Sequence, residues 1–354
     1  MTLPATMRAV VLTGHGAFDR LELRHDVPVP LPRAGEVLIK IGAAGVNNTD
    51  INTRIGWYSK AVAEATDVGG RAGIASAGED GWSGAAFHFP RIQGADACGR
   101  IVAVGAGIDP ARNGERVLVE PVFRGSSPPI YFGSEVDGAF ADYARVPSLH
   151  ACRIESDLTD AELASFPCAY SAAENMLTRT ALAAGERVLI TGASGGVGSA
   201  AVQLATRRGA DVTAMAGVDK ADAVRALGAV RVVPREADLA ALLGDEQFDV
   251  AIDVVGGALF PAMLGCLKRG GRYAVAGAIA GPVVDLDLRT LYLKDLRLLG
   301  CTILDACVFP HLIEYVERGE IKPLVAATYP LAEIIAAQEA FLTKRHVGKI
   351  VLTL

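Results

Sequence analysis

The residues with the plainest chemical potential are the glycines of Gly192-Ala193-Ser194-Gly195-Gly196-Val197-Gly198, spaced Gly-x-x-Gly-x-x-Gly. Glycine lets a backbone turn sharply and approach an anion closely. A helix that starts at such a turn adds free N–H groups and the positive end of its dipole. The chemistry that fits is the cradling of a pyrophosphate by the backbone of Ser194, Gly195, Gly196, Val197 and Gly198. An acidic residue about 20 positions further on usually bonds the ribose hydroxyls of NAD. Here Asp211-Val212-Thr213-Ala214-Met215-Ala216-Gly217 ends without one. Asp219 falls near the right count but past the strand, where it can simply cap the next helix. Lys220 either neutralises a ribose 2′-phosphate or is an ordinary solvated helix lysine. The acid missing at Gly217 favours NADP(H) over NAD.

The elements around this turn must hold it rigidly. Arg187-Val188-Leu189-Ile190-Thr191 is short, apolar and β-branched, so it reads as a buried strand, and Ser199 to Arg208 follows at helical spacing. Further strands are expected at 211–215, 248–252, 271–276 and 297–303, separated by helical segments such as 220–227 and 259–267. That alternation predicts a doubly wound parallel sheet with helices on both faces. Upstream, 7–157 reads as short strands broken by turn residues, a β-rich and partly closed unit. A helix is expected over 158–182, opened by a Thr159-Asp160-Ala161-Glu162 capping box. Helices at 309–317 and 331–342 and a strand at 347–353 complete the chain. The glycine-rich stretch 59–93, with Trp57 just before it and Trp82 inside it, is long for a compact domain. It is either a loop over the substrate mouth or a surface excursion.

Composition narrows the class. The chain has 354 residues, enough for two domains, and is 51% hydrophobic. No apolar run approaches the ~20 residues of a membrane-spanning helix. The N-terminus carries no apolar core of a secretion signal, so a cytoplasmic location is expected. A net charge of −6 without a Lys/Arg-rich block disfavours a nucleic-acid partner. The six cysteines are scattered with no C-x-x-C pair, which predicts reduced thiols. The six histidines form no metal-spaced cluster and are expected at the surface.

Five ordered segments resemble the medium-chain dehydrogenase/reductase superfamily. They are Gly45-Val46-Asn47-Asn48-Thr49-Asp50-Ile51-Asn52-Thr53-Arg54-Ile55-Gly56-Trp57-Tyr58, Gly94-Ala95-Asp96-Ala97-Cys98-Gly99-Arg100-Ile101-Val102-Ala103-Val104-Gly105, Gly138-Ala139-Phe140-Ala141-Asp142-Tyr143, the glycine turn, and His346-Val347-Gly348-Lys349-Ile350-Val351-Leu352. The resemblance covers nearly the whole chain. It implies an α/β fold in which a Rossmann domain (158–299) is inserted in a GroES-like, β-rich catalytic domain (1–157 and 300–354). It also implies that Val255 and Gly277, at the ends of two later strands, pass close to the cofactor, unless the glycines there only make turns.

Zinc alcohol dehydrogenases of that superfamily place a cysteine where this chain has Asn47 and a histidine where it has Ala95. A catalytic zinc needs about three N, S or carboxylate ligands, so no metal is expected. What remains resembles the quinone-oxidoreductase branch, whose motif has asparagine, aspartate, arginine and tyrosine where Asn47, Asp50, Arg54 and Tyr58 stand. The resemblance implies a zinc-independent, NADPH-dependent reductase of a quinone or an α,β-unsaturated carbonyl, a small-molecule substrate. Charge developing on the substrate oxygen then has to be met by positioned donors. Asn47 and Tyr58 are such donors, and Tyr58 could also deliver a proton. Alternatively, Asn47 caps a turn and Tyr58 merely packs. Asp50 and Arg54 are expected to orient the loop, by pairing with each other. A 2-enoyl thioester reductase and a non-catalytic NADPH-binding protein remain alternatives. Relatives pair the edge strands of their Rossmann sheets, which implies a homodimer or dimer of dimers through 297–303.

Overall fold

The computed structural model of the chain describes residues 3–78, 80–125 and 128–354. They form two compact units. One comprises 1–62, 68–168 and 309–354; the other comprises 63–67 and 169–308. The main segment of the second unit is 169–308, beside the 158–299 expected for the Rossmann domain.

In the first unit the central strand Glu36–Gly45 is paired on both sides. Cys98–Val104 and Tyr143–Pro147 run antiparallel to it, and Lys349–Thr353 pairs antiparallel to its last residues. Arg116–Val119 and Ala151–Arg153 extend one side, and Val325–Pro330 lies parallel to Lys349–Thr353 on the other. A smaller sheet joins Thr6–Leu12 to Leu21–Pro28 and Arg91–Ile92. The inward residues Val37, Leu38, Ile39, Ile101, Val117, Val119 and Val146 are almost wholly buried and form one core with Phe132, Phe140 and Ile350.

Two features of this unit fix the neighbourhood of Asn47. The register Val351↔Gly45 and Leu352↔Ala44 brings the start of the last strand beside Asn47, and Val46 N donates to Ile350 O at 2.9 Å. Gly45 has no room for a side chain: a Cβ there would lie 2.4 Å from Asp96 Oδ2 and 2.9 Å from Ala164 O. The missing Cβ is what lets the Asp96 carboxylate approach.

The second unit is a six-stranded parallel sheet. Its order is Arg231–Pro234, Asp211–Ala216, Arg187–Ile190, Phe248–Asp253, Leu267–Val275, Arg297–Gly300. Three of the four inner strands, Asp211–Ala216, Arg187–Ile190 and Phe248–Asp253, are buried almost end to end, as helices on both faces require. Several expected bounds shift by a few residues. The last edge strand stops at Gly300, and the single helix expected over 158–182 is two, Asp160–Leu163 and Pro167–Arg179. The capping box forms as read: Glu162 N donates to Thr159 Oγ1 and Thr159 N to Glu162 Oε2.

The 59–93 stretch, of which residue 79 lies outside the described residues, is divided between the units. Thr66 N donates to Ile279 O at 2.9 Å within the second unit. In the first, Trp82 stacks on Tyr131 with ring centroids 4.5 Å apart. No helix of the described residues is long and apolar enough to cross a membrane.

Candidate active site

Helix Asn48–Ile55 carries the expected catalytic residues, and its start is closed by a backbone–carboxylate bond. Asp50 Oδ2 accepts the Asn47 N–H at 2.7 Å, satisfying a donor the helix leaves unpaired. Gly56, at φ +76°, ends the helix in a left-handed turn that favours glycine. Trp57 and Tyr58 follow directly.

The Asn47 side chain is committed in every direction. Its Nδ2 donates to Asp96 Oδ2 at 2.7 Å and to Gly45 O at 3.3 Å. Its Oδ1 accepts from the Lys349 ammonium at 2.5 Å. A cation on one side and a carboxylate on the other leave the amide only one sensible orientation. Lys349 also donates to Asp96 Oδ2 at 2.7 Å and to Val46 O at 3.1 Å. The remaining oxygen, Asp96 Oδ1, accepts from Cys168 N at 2.5 Å. The Lys349 and Asp96 side chains are 3% and 0% exposed, so the ion pair is shielded from solvent.

Asp50 and Arg54 do not pair as expected. Asp50 turns to the helix start, accepting from Asn47 N and from Gly94 N at 3.3 Å. Arg54 points elsewhere, donating to Gln338 Oε1 at 2.9 Å, Gly16 O at 2.9 Å and Gly70 O at 2.6 Å, with its guanidinium 4.3 Å from the Phe18 ring centre. One residue reaches back to the cap while the other leaves the opposite end, so i,i+4 spacing does not bring them together. Burial pushes the Asp50 carboxyl up to about 7, against the pull of the Asn47 N–H and the Lys349 charge. Burial lowers Arg54 to about 10.

Tyr58 is half-buried, and its hydroxyl donates to Thr49 Oγ1 at 3.1 Å, back onto the first turn of the same helix. Burial raises its pKa well above the usual phenol value, so the hydroxyl keeps its proton at any working pH. It is an O–H donor at the end of a rigidly held helix.

These residues do not fit a zinc ion. Ala95 offers no donor, the Asn47 amide is already bonded on both ends, and both Asp96 oxygens are taken. Among the described residues no group of three or more His, Cys, Asp or Glu could hold a metal.

The second unit holds the glycine turn. Gly192 sits at φ +58°, and a Cβ on Gly198 would lie 2.1 Å from Gly192 O, so helix Gly196–Arg207 can approach the strand only with glycine there. Ser194, Gly195, Gly196 and Val197 are partly exposed, and nothing lies closer than 3.4 Å to a Cβ built on Gly195. That open face of backbone suits a pyrophosphate. The buried Asp253 anchors the neighbouring loop: it accepts from Thr191 Oγ1 at 2.6 Å, Tyr273 OH at 2.5 Å, Val255 N at 2.8 Å and Gly256 N at 3.1 Å. A Cβ on Gly277 would meet Val254 O at 3.2 Å, so the glycine keeps that strand end slim. Past Gly217 the chain makes a 3-10 turn, Val218–Lys220. Burial lowers the Lys220 pKa, Asp219 opposes this, and the nearby Arg235 lowers it further.

Two residues of these sites escape a reading by sequence. Arg235 follows the strand Arg231–Pro234 and reaches Lys220 only because parallel pairing sets that strand beside Asp211–Ala216. Lys349 lies 302 positions from Asn47. Its one local signal is a lysine heading an otherwise apolar strand. Of the histidines, His150 is not at the surface; it is buried against Glu120, with Nδ1 and Oε2 2.7 Å apart, because the carboxylate supplies the partner that burial demands.

Comparison with known proteins matches the chain to two domain families. The alcohol dehydrogenase GroES-like domain family matches residues 33–156, and the zinc-binding dehydrogenase family matches 196–318. A solved structure from Sinorhizobium meliloti 1021, whose alcohol dehydrogenase label is itself provisional, is 46% identical with a TM-score of 0.88, covering 99% of this chain and 97% of that one. Acryloyl-coenzyme A reductase of Metallosphaera sedula is 28% identical over 98% of this chain and 100% of its own length. Quinone oxidoreductase of Lama guanicoe is 28% identical over 98% of each chain.

The state of Asp50 has a measurable signature. Unfolded, its carboxyl ionises near pH 4; folded, it holds its proton to about 7. Between those values the folded state binds the extra proton, so stability falls as pH rises and is level above about 7. Urea unfolding of the parent and of Asp50→Asn from pH 4 to 8 is expected to show the parent losing ground to the variant across that window, by at most about 1.4 kcal/mol per pH unit. A constant gap would mean that Asp50 is ionised in the folded protein.

Proposed function

This chain belongs to the medium-chain dehydrogenase/reductase superfamily, on its quinone-oxidoreductase-like branch, and we propose that it is a zinc-independent, NADPH-dependent reductase of quinones or α,β-unsaturated carbonyls. The observation that carries this reading is the closed network of Lys349, Asn47 and Asp96, which occupies the donors a zinc would need.

NADPH, when bound, supplies the hydride. Backbone N–H groups at Ser194 to Gly198 would hold its pyrophosphate, and Val255 and Gly277 would line the cofactor's path. Lys220 and Arg235, near Gly217, would hold the 2′-phosphate; the Asp219 carboxylate also stands at this turn, 2.7 Å from a Cβ built on Gly217. The charge of Arg235 lowers the Lys220 pKa, which supports this, although Asp219 acts in the opposite sense and Arg235 is itself ion-paired with Glu236. Tyr58 does the chemistry of the oxygen. Its hydroxyl turns from Thr49 Oγ1 to the substrate oxygen as negative charge collects there, hands over its proton, and is reprotonated from water. Asn47, its amide hydrogens already engaged, serves with Asp50 as the frame of the helix that carries Tyr58. Arg54 ties that frame to the Gly16 and Gly70 segments.

The likeness to acryloyl-coenzyme A reductase supports a second reading, a 2-enoyl thioester reductase working by the same hydride and proton steps. A homodimer is supported by the edge position of strand Arg297–Gly300 in the sheet of the described residues and by the exposed Leu288, Tyr292, Leu293 and Leu298 near it in sequence.

NADPH and NADH oxidation across a panel of quinones, enones and enoyl thioesters tests the assignment and separates the two substrate classes. Tyr58→Phe is expected to lower turnover by about 10²-fold with NADPH affinity unchanged. Undiminished turnover would remove Tyr58 from the chemistry. Lys220→Ala and Arg235→Ala are each expected to weaken NADPH by about ten-fold and leave NADH as it was; equal effects on both cofactors would contradict the 2′-phosphate assignment.

A further inference from the structure

Lys349, in the closing segment by which the chain resembles its superfamily, is a buried charge to which the reduction chemistry above assigns no task. Its three ammonium hydrogens have three acceptors, Val46 O, Asn47 Oδ1 and Asp96 Oδ2, so the group is saturated and cannot reach a ligand without breaking a bond. Five residues earlier, Lys344 donates to Asn48 Oδ1 at 2.9 Å. The same C-terminal segment therefore grips two consecutive residues at the start of helix Asn48–Ile55. Cations are the wrong sign for a helix N-terminus, so this arrangement is not explained by stabilisation of the helix. It does explain the fixed geometry of what the helix carries.

We propose that Lys349 is a positioning residue for this site: its ammonium is the fixed cation that sets the Asn47 amide and, through the helix that Asn47 caps, the Tyr58 hydroxyl. The links are each a hydrogen bond or a helix turn. Lys349 holds Asn47 Oδ1, and Asp96 holds the Nδ2 side. The Asn47 backbone is locked to Asp50, two residues into the helix. Thr49, in that same turn, receives the Tyr58 hydroxyl. Where a metal would pin its ligands by coordination, here a lysine pins an amide. The proposal rests on the metal-independent reading above and goes beyond it by naming what takes over the metal's organising task.

The test uses the full-length protein with its cofactor. Lys349→Met removes the charge at nearly constant length, and Lys349→Met with Asp96→Asn leaves no unpaired buried carboxylate, so the pair folds even where the single variant does not. Both are expected to lose turnover by ten-fold or more while the Kd for NADPH stays within two-fold. Lys349→Ala, which removes the ammonium and three methylenes, is expected to regain several-fold turnover with added propylammonium, and the parent to gain none. Trp57 gives a readout that needs no substrate, because it packs edge-on against Tyr58 with ring centroids 5.7 Å apart. In a Trp82→Phe background its emission is expected to shift in both charge-removed variants. Turnover within two-fold of the parent, loss of NADPH affinity in step with turnover, no propylammonium rescue, or unchanged Trp57 emission would each overturn the proposal. Should the parent reduce nothing in the substrate panel, the functional reading falls, and Trp57 emission alone still decides the role of Lys349.

Discussion

A buried ammonium between an amide and a carboxylate is the interaction on which the candidate site depends. Removing one partner of such a pair strands the other charge and costs on the order of 3–5 kcal/mol, which makes the network all-or-none. It joins four parts of the chain distant in sequence: the end of the central strand at Gly45 to Asn47, the turn at Asp96, the helix start at Cys168 and the last strand at Lys349. The constraint reaches into the covalent structure, since only glycine at 45 leaves space for the Asp96 carboxylate. Once these groups are fixed, the helix from Asn48 to Ile55 has one position, and Tyr58 is delivered by it.

The nucleotide-binding unit solves a different problem with the same economy of side chains. At its glycine turn small residues rather than charged ones shape the backbone: Gly198 for close packing and Gly195 for open space. Past Gly217 stand charges of both signs, Asp219 and Lys220 and then the Arg235–Glu236 pair. Asp253 keeps the next loop in place with four hydrogen bonds from a fully buried carboxylate. Both units therefore rest on a buried aspartate that touches no ligand and holds the backbone or side chains that could.

What could be read in advance followed from local physics. The strand–glycine turn–helix at 187–208, the alternation that builds the parallel sheet and the Thr159–Glu162 cap are all set within a few residues, and the α/β fold with its GroES-like and Rossmann parts came through. Partners brought together by sheet register were not legible. Lys349 meets Asn47 because Val351 lies across from Gly45, and Arg235 meets Lys220 because two parallel strands are neighbours. Asp50 and Arg54 looked like an i,i+4 pair, yet the helix cap claimed one and the Gln338, Gly16 and Gly70 acceptors claimed the other. His150 was misplaced at the surface because its burial depends on Glu120, thirty residues earlier and joined to it only by pairing of their strands.

The central claim is that fixed protein groups, and no metal, organise the reduction. Its most direct test is NADPH-dependent reduction of a quinone or enone by protein purified without added metal, before and after exhaustive chelation, with zinc measured on the same samples. The account predicts zinc far below one per chain and the same rate before and after. One tightly held zinc per chain, whose removal abolishes the activity and whose return restores it, would contradict it.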